Sequence, residues 1–413
     1  MASTEQLLSP TEGPVTESGR IESIDVLRGF ALLGILVMNI QGFSMIGAAY
    51  LNPAAYGDLS GANWWVWVLS HLFADQKFMT LFSVLFGAGI VMMWERAEAT
   101  GRKSTGLHYR RTLWLLVFGL IHAYLLWSGD ILFLYAICAS WVYWLRRASP
   151  KVLTIVGSLV LMVSPVLYLA AGSTMPSWPT QDLIALTESW APGYEAVTRE
   201  VGNFQGSWGQ QMESRVQLAL GLQREALPFW GFWRASGLML LGMALFKVGF
   251  LRAGLSDGLY RRLLLGGLVF GLPLIAFGIQ QNFAADWDVS RFFLGSLYNY
   301  FGSLPVSLAY ASAIMLMCRR GTWVFLQRSF AAVGRMALTN YFAQTIICTT
   351  IFYGHGLGYF GEVDRVGQII IVLGVWLFQI PFSLWWLERF RFGPFEWLWR
   401  SLSYLELQPM RIR

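Results

Sequence analysis

In the string GLIHAYLLWSGDI, His122, Ser128 and Asp130 stand at one end of an otherwise apolar stretch. An imidazole and a carboxylate beside a bilayer are costly unless something satisfies or uses them, so they read as a functional site. The two residues are too far apart to pair within one helical turn. They can meet if the helix ends around Trp127 and the chain turns at Ser128 and Gly129. A histidine held by a carboxylate can act as general base on a hydroxyl or an amine. The same pair could also be a hydrogen-bonded clamp between two helices, and the sequence leaves both readings open.

Other residues could join that chemistry. The segment SHLFADQKFMTLFSVLFGAGI gathers His71, Asp75, Gln76, Lys77, Thr80 and Ser83 ahead of Gly87 and Gly89. Lys77 either snorkels to an interface or faces Asp130 as an anion-binding or proton-sharing group. In RIESIDVLRGF, Asp25 and Arg28 are three apart and share a helix face, where they can pair with Arg20 nearby. That set serves as a helix-entry anchor or as a site for a phosphate-bearing donor. In VGRMALTNYFAQTII, Asn340 and Gln344 are four apart with Tyr341 beside them, a pattern that glues helices or lines a cavity. His108 reads as a surface residue among basic neighbours, and His355 lies in the glycine-rich loop YGHGLGYFG. The histidines lack ligand spacing with one another, so no metal site is expected, and the separated Cys138, Cys318 and Cys348 suggest core filler.

The elements that must carry these groups are membrane helices. The 413-residue chain is 55% hydrophobic and only 13% charged, with apolar runs of about 20 residues recurring along it. About ten spans are expected: Ile24 to Ile46, Lys77 to Trp94, Thr112 to Trp127, Ile131 to Leu145, Val152 to Ala171, Phe229 to Phe250, Leu263 to Gln280, Phe293 to Met317, Ala331 to Tyr353 and Val366 to Leu387. Every even-numbered exit is basic, as at Arg110 and Arg111, Arg146 and Arg147, and Arg319 and Arg320. The positive-inside rule then puts both termini in the cytoplasm and the His122 turn in the outer half of the membrane. The net charge of +6 falls in these short clusters rather than one patch, which argues for orientation and against nucleic acid as a partner.

The expected layout is an all-α polytopic bundle. A disordered cytoplasmic tail covers 1–20, and an N-terminal transmembrane part of about five helices covers 21–172. Residues 173–228 are too long and polar for an ordinary loop and read as an extracytoplasmic helical cap. A C-terminal transmembrane part of about five helices follows over 229–390, and 391–413 reads as a cytoplasmic interfacial helix rich in Arg and Trp.

RIESIDVLRGFALLGILVMNI, FMTLFSVLFGAG, GLIHAYLLWSGDIL, GRMALTNY and RFRFGPFEWLWRSLSY together resemble the YeiB-like family of bacterial inner-membrane proteins, a domain-of-unknown-function family. The N-terminal string is distantly similar to the transmembrane acyltransferase superfamily. That similarity implies acyl transfer from a cytoplasmic thioester, with acyl-CoA as the donor substrate, to a lipid or glycan acceptor of the envelope. Those enzymes present a histidine in or soon after the first span, where this chain has Asn39 and no histidine before His71.

The function expected is therefore a membrane-embedded acyltransferase. His122 or His71 would be the base, Asp130 the orienting partner and Lys77 a stabiliser of oxyanion charge. Asp25, Arg28, Asn39, Asn340, Tyr341 and Gln344 are the candidate substrate-binding residues, and membrane lipids are the surrounding partners. The rival expectation is a proton-coupled transporter or small-molecule-binding membrane protein, which a titratable His–Asp pair among ten spans would also suit.

Overall fold

A backbone in lipid must satisfy its own polar groups, and the apolar segments do so as helices. The computed structural model describes residues 20–412, so the tail expected over 1–20 lies outside the described residues apart from Arg20. In chain order the helices are α1 (Glu22–Ser44), α2 (Gly47–Leu51), α3 (Gly61–Phe73), α4 (Lys77–Ala99), α5 (Thr105–Ile121), α6 (Leu132–Val142), α7 (Pro150–Thr174), α8 (Thr180–Trp190), α9 (Tyr194–Gln205) and α10 (Trp208–Gly221). There follow α11 (Phe232–Lys247), α12 (Asp257–Ala284), α13 (Phe292–Arg320), α14 (Val324–Arg335), α15 (Ala337–Phe352), α16 (Arg365–Leu387) and α17 (Pro394–Tyr404).

Among the described residues, seven helical runs are long and apolar enough to cross a membrane: Glu22–Ser44, Gly61–Ala99, Pro150–Ser177, Trp208–Lys247, Asp257–Ala284, Val289–Arg320 and Arg365–Leu387. The protein is a polytopic membrane helix bundle. α1 sits at its centre, packed on α4, α14, α15 and α16. The outer helices α7, α12 and α16 expose Ile155, Leu159, Val166, Leu265, Val269, Phe270, Leu377 and Phe378, an apolar surface suited to acyl chains. α4 and α11 approach closely across small residues: a Cβ on Gly87 would lie 1.9 Å from the Met239 carbonyl oxygen, and one on Gly242 would lie 2.0 Å from that of Val84.

Three of the ten expected spans fall on shorter helices. α5 continues as a π-helical turn, His122–Leu126, before the chain reverses. α6 closes with the 3₁₀ turn Tyr143–Leu145, and the pair rises only about 20 Å, short of the roughly 30 Å of a hydrocarbon core. The span expected over Ala331 to Tyr353 is divided at Met336, where φ −112° and ψ 32° leave the helix. Glu396 of α17 caps the new start at α15: its Oε1 accepts the backbone N–H groups of Leu338 and Thr339, and its Oε2 accepts the Thr339 hydroxyl. α3, which carries Trp64, Trp65 and Trp67, is an apolar helix outside the ten expected spans.

Residues 173–228 hold α8, α9 and the whole of α10. α10 starts at a capping box in which Ser207 and Gln210 satisfy each other's backbone N–H groups. It then passes through the π-helical segment Leu222–Gly231 straight into α11. The boundary expected at 228/229 thus lies inside one continuous helical run. At the opposite end α17 docks on α5, with Arg110 Nε donating to the Ser403 carbonyl and the Arg111 guanidinium 4.1 Å from the Trp399 ring centre.

Candidate functional site

The chain turn at Ser128 and Gly129 returns Asp130 to His122. His122 Nδ1 lies 3.0 Å from Asp130 Oδ1, with the two side chains 0% and 2% exposed. The approach lacks the alignment of a formed hydrogen bond, leaving both atoms in close contact but unsatisfied. On its other edge, His122 Nε2 is 2.8 Å from Thr345 Oγ1 of α15. A carboxylate only accepts, so Asp130 favours the tautomer with its proton on Nδ1 and a free lone pair on Nε2 facing the hydroxyl. Hydroxyl, imidazole and carboxylate therefore stand in the order used for proton removal from oxygen.

Each partner is fixed by a local device. The π-helical turn at His122–Leu126 adds winding that ends α5 and lets the chain fold back, a distortion frequently found at functional sites. Asp130 Oδ2 accepts the Phe133 backbone N–H at 2.7 Å, tying it to the first turn of α6. α5 can come this near only because residue 119 is glycine: a Cβ there would lie 2.3 Å from Phe133 N and 2.9 Å from Asp130 Oδ2. Trp127 stacks on Phe43 with ring centres 4.0 Å apart and donates to the Gly42 carbonyl, anchoring the turn on α1. The Tyr341 ring centre lies 4.8 Å from that of His122, and its hydroxyl is buried.

Side chains of the cap segment cover the turn. Arg215 NH1 donates to the Leu125 carbonyl at 3.1 Å, Trp208 Nε1 reaches the same oxygen at 3.4 Å, and the Tyr124 hydroxyl donates to Gln223 Oε1 at 2.9 Å. The site is closed from the cap side by α10 and the π-helical segment after it.

Two curated proteins are similar in sequence to this chain over nearly their whole length. The chain is 37% identical over 400 residues to "Uncharacterized protein YeiB" of Escherichia coli (strain K12), covering 92% of this chain and 95% of that one. It is 32% identical over 422 residues to "Uncharacterized protein YxaH" of Bacillus subtilis (strain 168), covering 96% and 97%. The chain belongs to the YeiB-like family. A family model described as "Protein of unknown function (DUF418)" matches residues 245–406, which include Thr345 but neither His122 nor Asp130. A third relative, from Bacillus acidopullulyticus, is 25% identical over 403 residues.

In this YeiB-like protein the other expected site residues divide into separate groups. Lys77, expected to face Asp130, is fully buried elsewhere: its Nζ donates to the His71 carbonyl and to Asn299 Oδ1, both at 2.7 Å. Asn299 Nδ2 passes the contact to Asp75 Oδ2 at 2.7 Å, and His71 Nδ1 is 3.3 Å from that oxygen. The break between α3 and α4, with Gln76 at φ 62°, folds these four residues into a self-contained cluster on α13. None of the contacts described around His122 includes Lys77 or His71.

Asp25 pairs with Arg28 at 2.7 Å and with Arg20 at 3.6 Å at the start of α1. Asn340 Nδ2 donates to Ser383 Oγ, Gln344 Nε2 to Gln379 Oε1, and Gln379 Nε2 back to the Asn340 carbonyl, so these amides tie α15 to α16. Asn39 is half-buried on α1. His108, expected at the surface, is buried, stacked on Tyr143 at 4.0 Å and bonded to the Ala139 carbonyl, because α6 packs over it. His355 Nδ1 is 3.0 Å from Gln211 Oε1, and burial followed by the nearby Arg215 charge pushes its pKa down. Sequence reasoning missed Thr345, which sits five residues after Asn340 and one after Gln344, on the turn that faces α5 instead of α16. The polar spacing TNYFAQT was its only signal.

Proposed function

We propose that this YeiB-like protein is a membrane-embedded acyltransferase with His122 as general base. The observation that supports the reading best is the fully buried Thr345–His122–Asp130 array at the interrupted tip of the α5–α6 hairpin. An acceptor hydroxyl entering beside Nε2 would lose its proton to His122 as its oxygen attacks the thioester carbonyl. Asp130 would hold the imidazolium that forms, and the donor thiolate would leave as the carbonyl re-forms, taking the proton back from His122. The loose His122–Asp130 contact accords with a base that aligns only when an acceptor is bound. Thr345 either holds the place of the acceptor hydroxyl or carries the acyl group in passing.

The charge pattern supports an orientation with both termini and the basic ends at the cytoplasmic side of the inner membrane, and the cap outside. The donor would then meet Asp25 and Arg28, and the acceptor the cap. Ala31, Leu32 and Leu33, which follow Arg28 on α1, are buried, so transfer requires this segment to part from α15. The test is incubation of purified protein with a panel of labelled acyl-CoA donors and envelope lipid and glycan fractions. Label should move to an acceptor or to the protein, and His122→Ala should abolish that movement.

A proton-coupled transporter is the second reading, favoured by the Lys77–Asn299–Asp75 cluster at the break between α3 and α4. Solute-dependent proton uptake into liposomes, lost in Asp75→Asn, would support it over acyl transfer.

A further inference from the structure

Arg215, Arg234 and Arg365 are the largest fully buried side chains, and no carboxylate lies within ion-pair distance of them among the described residues. Each also leaves its Nε–H without a partner. A buried, unneutralised guanidinium is costly, and two of the three have a structural explanation. Arg234 is held by the Tyr300 carbonyl and by the Thr80 and Ser303 hydroxyls, deep in the bundle. Arg365 binds Gln41 and the carbonyls of Pro53 and Tyr56, fastening the loop after α2.

Arg215 lies beside the turn that carries the candidate base. Its NH1 bonds the carbonyl of Leu125, in the same π-helical turn as His122, and its NH2 bonds Gln211 Oε1 at 2.9 Å. Of five N–H donors only these two meet oxygen. Its flanks are aromatic, with the Trp208 and Tyr353 ring centres 5.8 and 5.9 Å away. Trp208 is 46% exposed, and the exposed His355 shares Gln211 Oε1. The unneutralised guanidinium thus lies under the half-exposed Trp208, next to the turn that carries the base.

We propose that Arg215 binds a phosphate group of the acceptor, which enters between Trp208 and His355. The planar guanidinium offers its free Nε–H and a remaining NH2 hydrogen as a fork for two phosphate oxygens. The inference rests on His122 being the base, because it names what that base would act upon. The acceptor is then a phosphate-bearing lipid or a soluble phosphate ester.

Titration calorimetry of the full chain in neutral detergent tests this, with short-chain phosphatidic acid, glycerol 3-phosphate and, as the uncharged control, short-chain diacylglycerol. The expected result is binding of a phosphate-bearing probe to wild type and to His122→Ala alike, weakened at least tenfold in Arg215→Gln and partly restored in Arg215→Lys. Phosphatidic acid binding alone would identify a lipid source; glycerol 3-phosphate binding equally well would identify a soluble one. Diacylglycerol binding as tightly as phosphatidic acid to wild type would overturn the proposal, and that comparison stands even if Arg215→Gln fails to fold. So would undiminished binding in a folded Arg215→Gln, or no binding of either phosphate probe. Phosphate binding that depends on Arg215 without acyl transfer by any donor would keep this site and remove the acyltransferase reading. Acyl transfer to uncharged acceptors with no dependence on Arg215 would do the reverse.

Discussion

At the residue scale, the string around His122 was legible as a meeting of imidazole and carboxylate, because the turn residues Ser128 and Gly129 can be read directly. Its third member was not. Thr345 is 223 positions away from His122, and only the packing of α15 on the π-helical turn makes it a partner. Lys77 misled for a related reason: a lysine near a polar run gives no sign of whether its partner is Asp130 or Asn299. Glu396 stands among arginines in the sequence, yet it caps α15. Burial pushes its carboxyl above the ordinary 4.5, against the hydrogen bonds from Thr339 and Leu338 that favour the charge. The folded state therefore holds this proton more tightly than the unfolded state, and its contribution is full below about pH 4.5 and lost as pH rises through the raised value. Thermal melting in detergent across that window should show the loss, and Glu396→Gln, which keeps an acceptor but cannot ionise, should flatten it. An identical pH profile in the variant would contradict the assignment. Glu396→Ala should lower stability by about 1 kcal/mol or more through the lost cap.

At the element scale, long apolar helices were readable from length and hydropathy, while the interruptions were not. α5 and α15 both look like simple spans, but one ends in a π-helical turn and the other begins after a break at Met336. Such breaks depend on distant partners, Trp127 on Gly42 in one case and Glu396 on Thr339 in the other. The α5–α6 hairpin makes this testable. Gly119→Ala places a methyl against the Phe133 backbone nitrogen and Asp130 Oδ2, so the helices must separate. A cost of about 1–3 kcal/mol is expected, visible as a lower melting temperature, along with loss of acyl transfer from displacement of Asp130. Unchanged melting and activity would mean that the hairpin is looser than its geometry indicates.

At the scale of the whole molecule, the all-helical membrane class followed from composition, and the alternating basic clusters suggested a topology that geometry alone does not orient. Single cysteines at Gly193, in the cap, and at Ser149, before α7, in a chain lacking the three native cysteines, should react from opposite sides of the membrane with an impermeant maleimide. Labelling of both from one side would refute the proposed orientation. The central claim is that His122 and Asp130 act together on an acceptor hydroxyl. Its most direct test is the rate of acyl transfer by purified wild type and Asp130→Asn, matched in melting temperature, using the same labelled donor. A drop of about 100-fold or more in the variant is predicted, in keeping with general-base catalysis. Equal rates in the two proteins, or no transfer by wild type across the full donor panel, would contradict it.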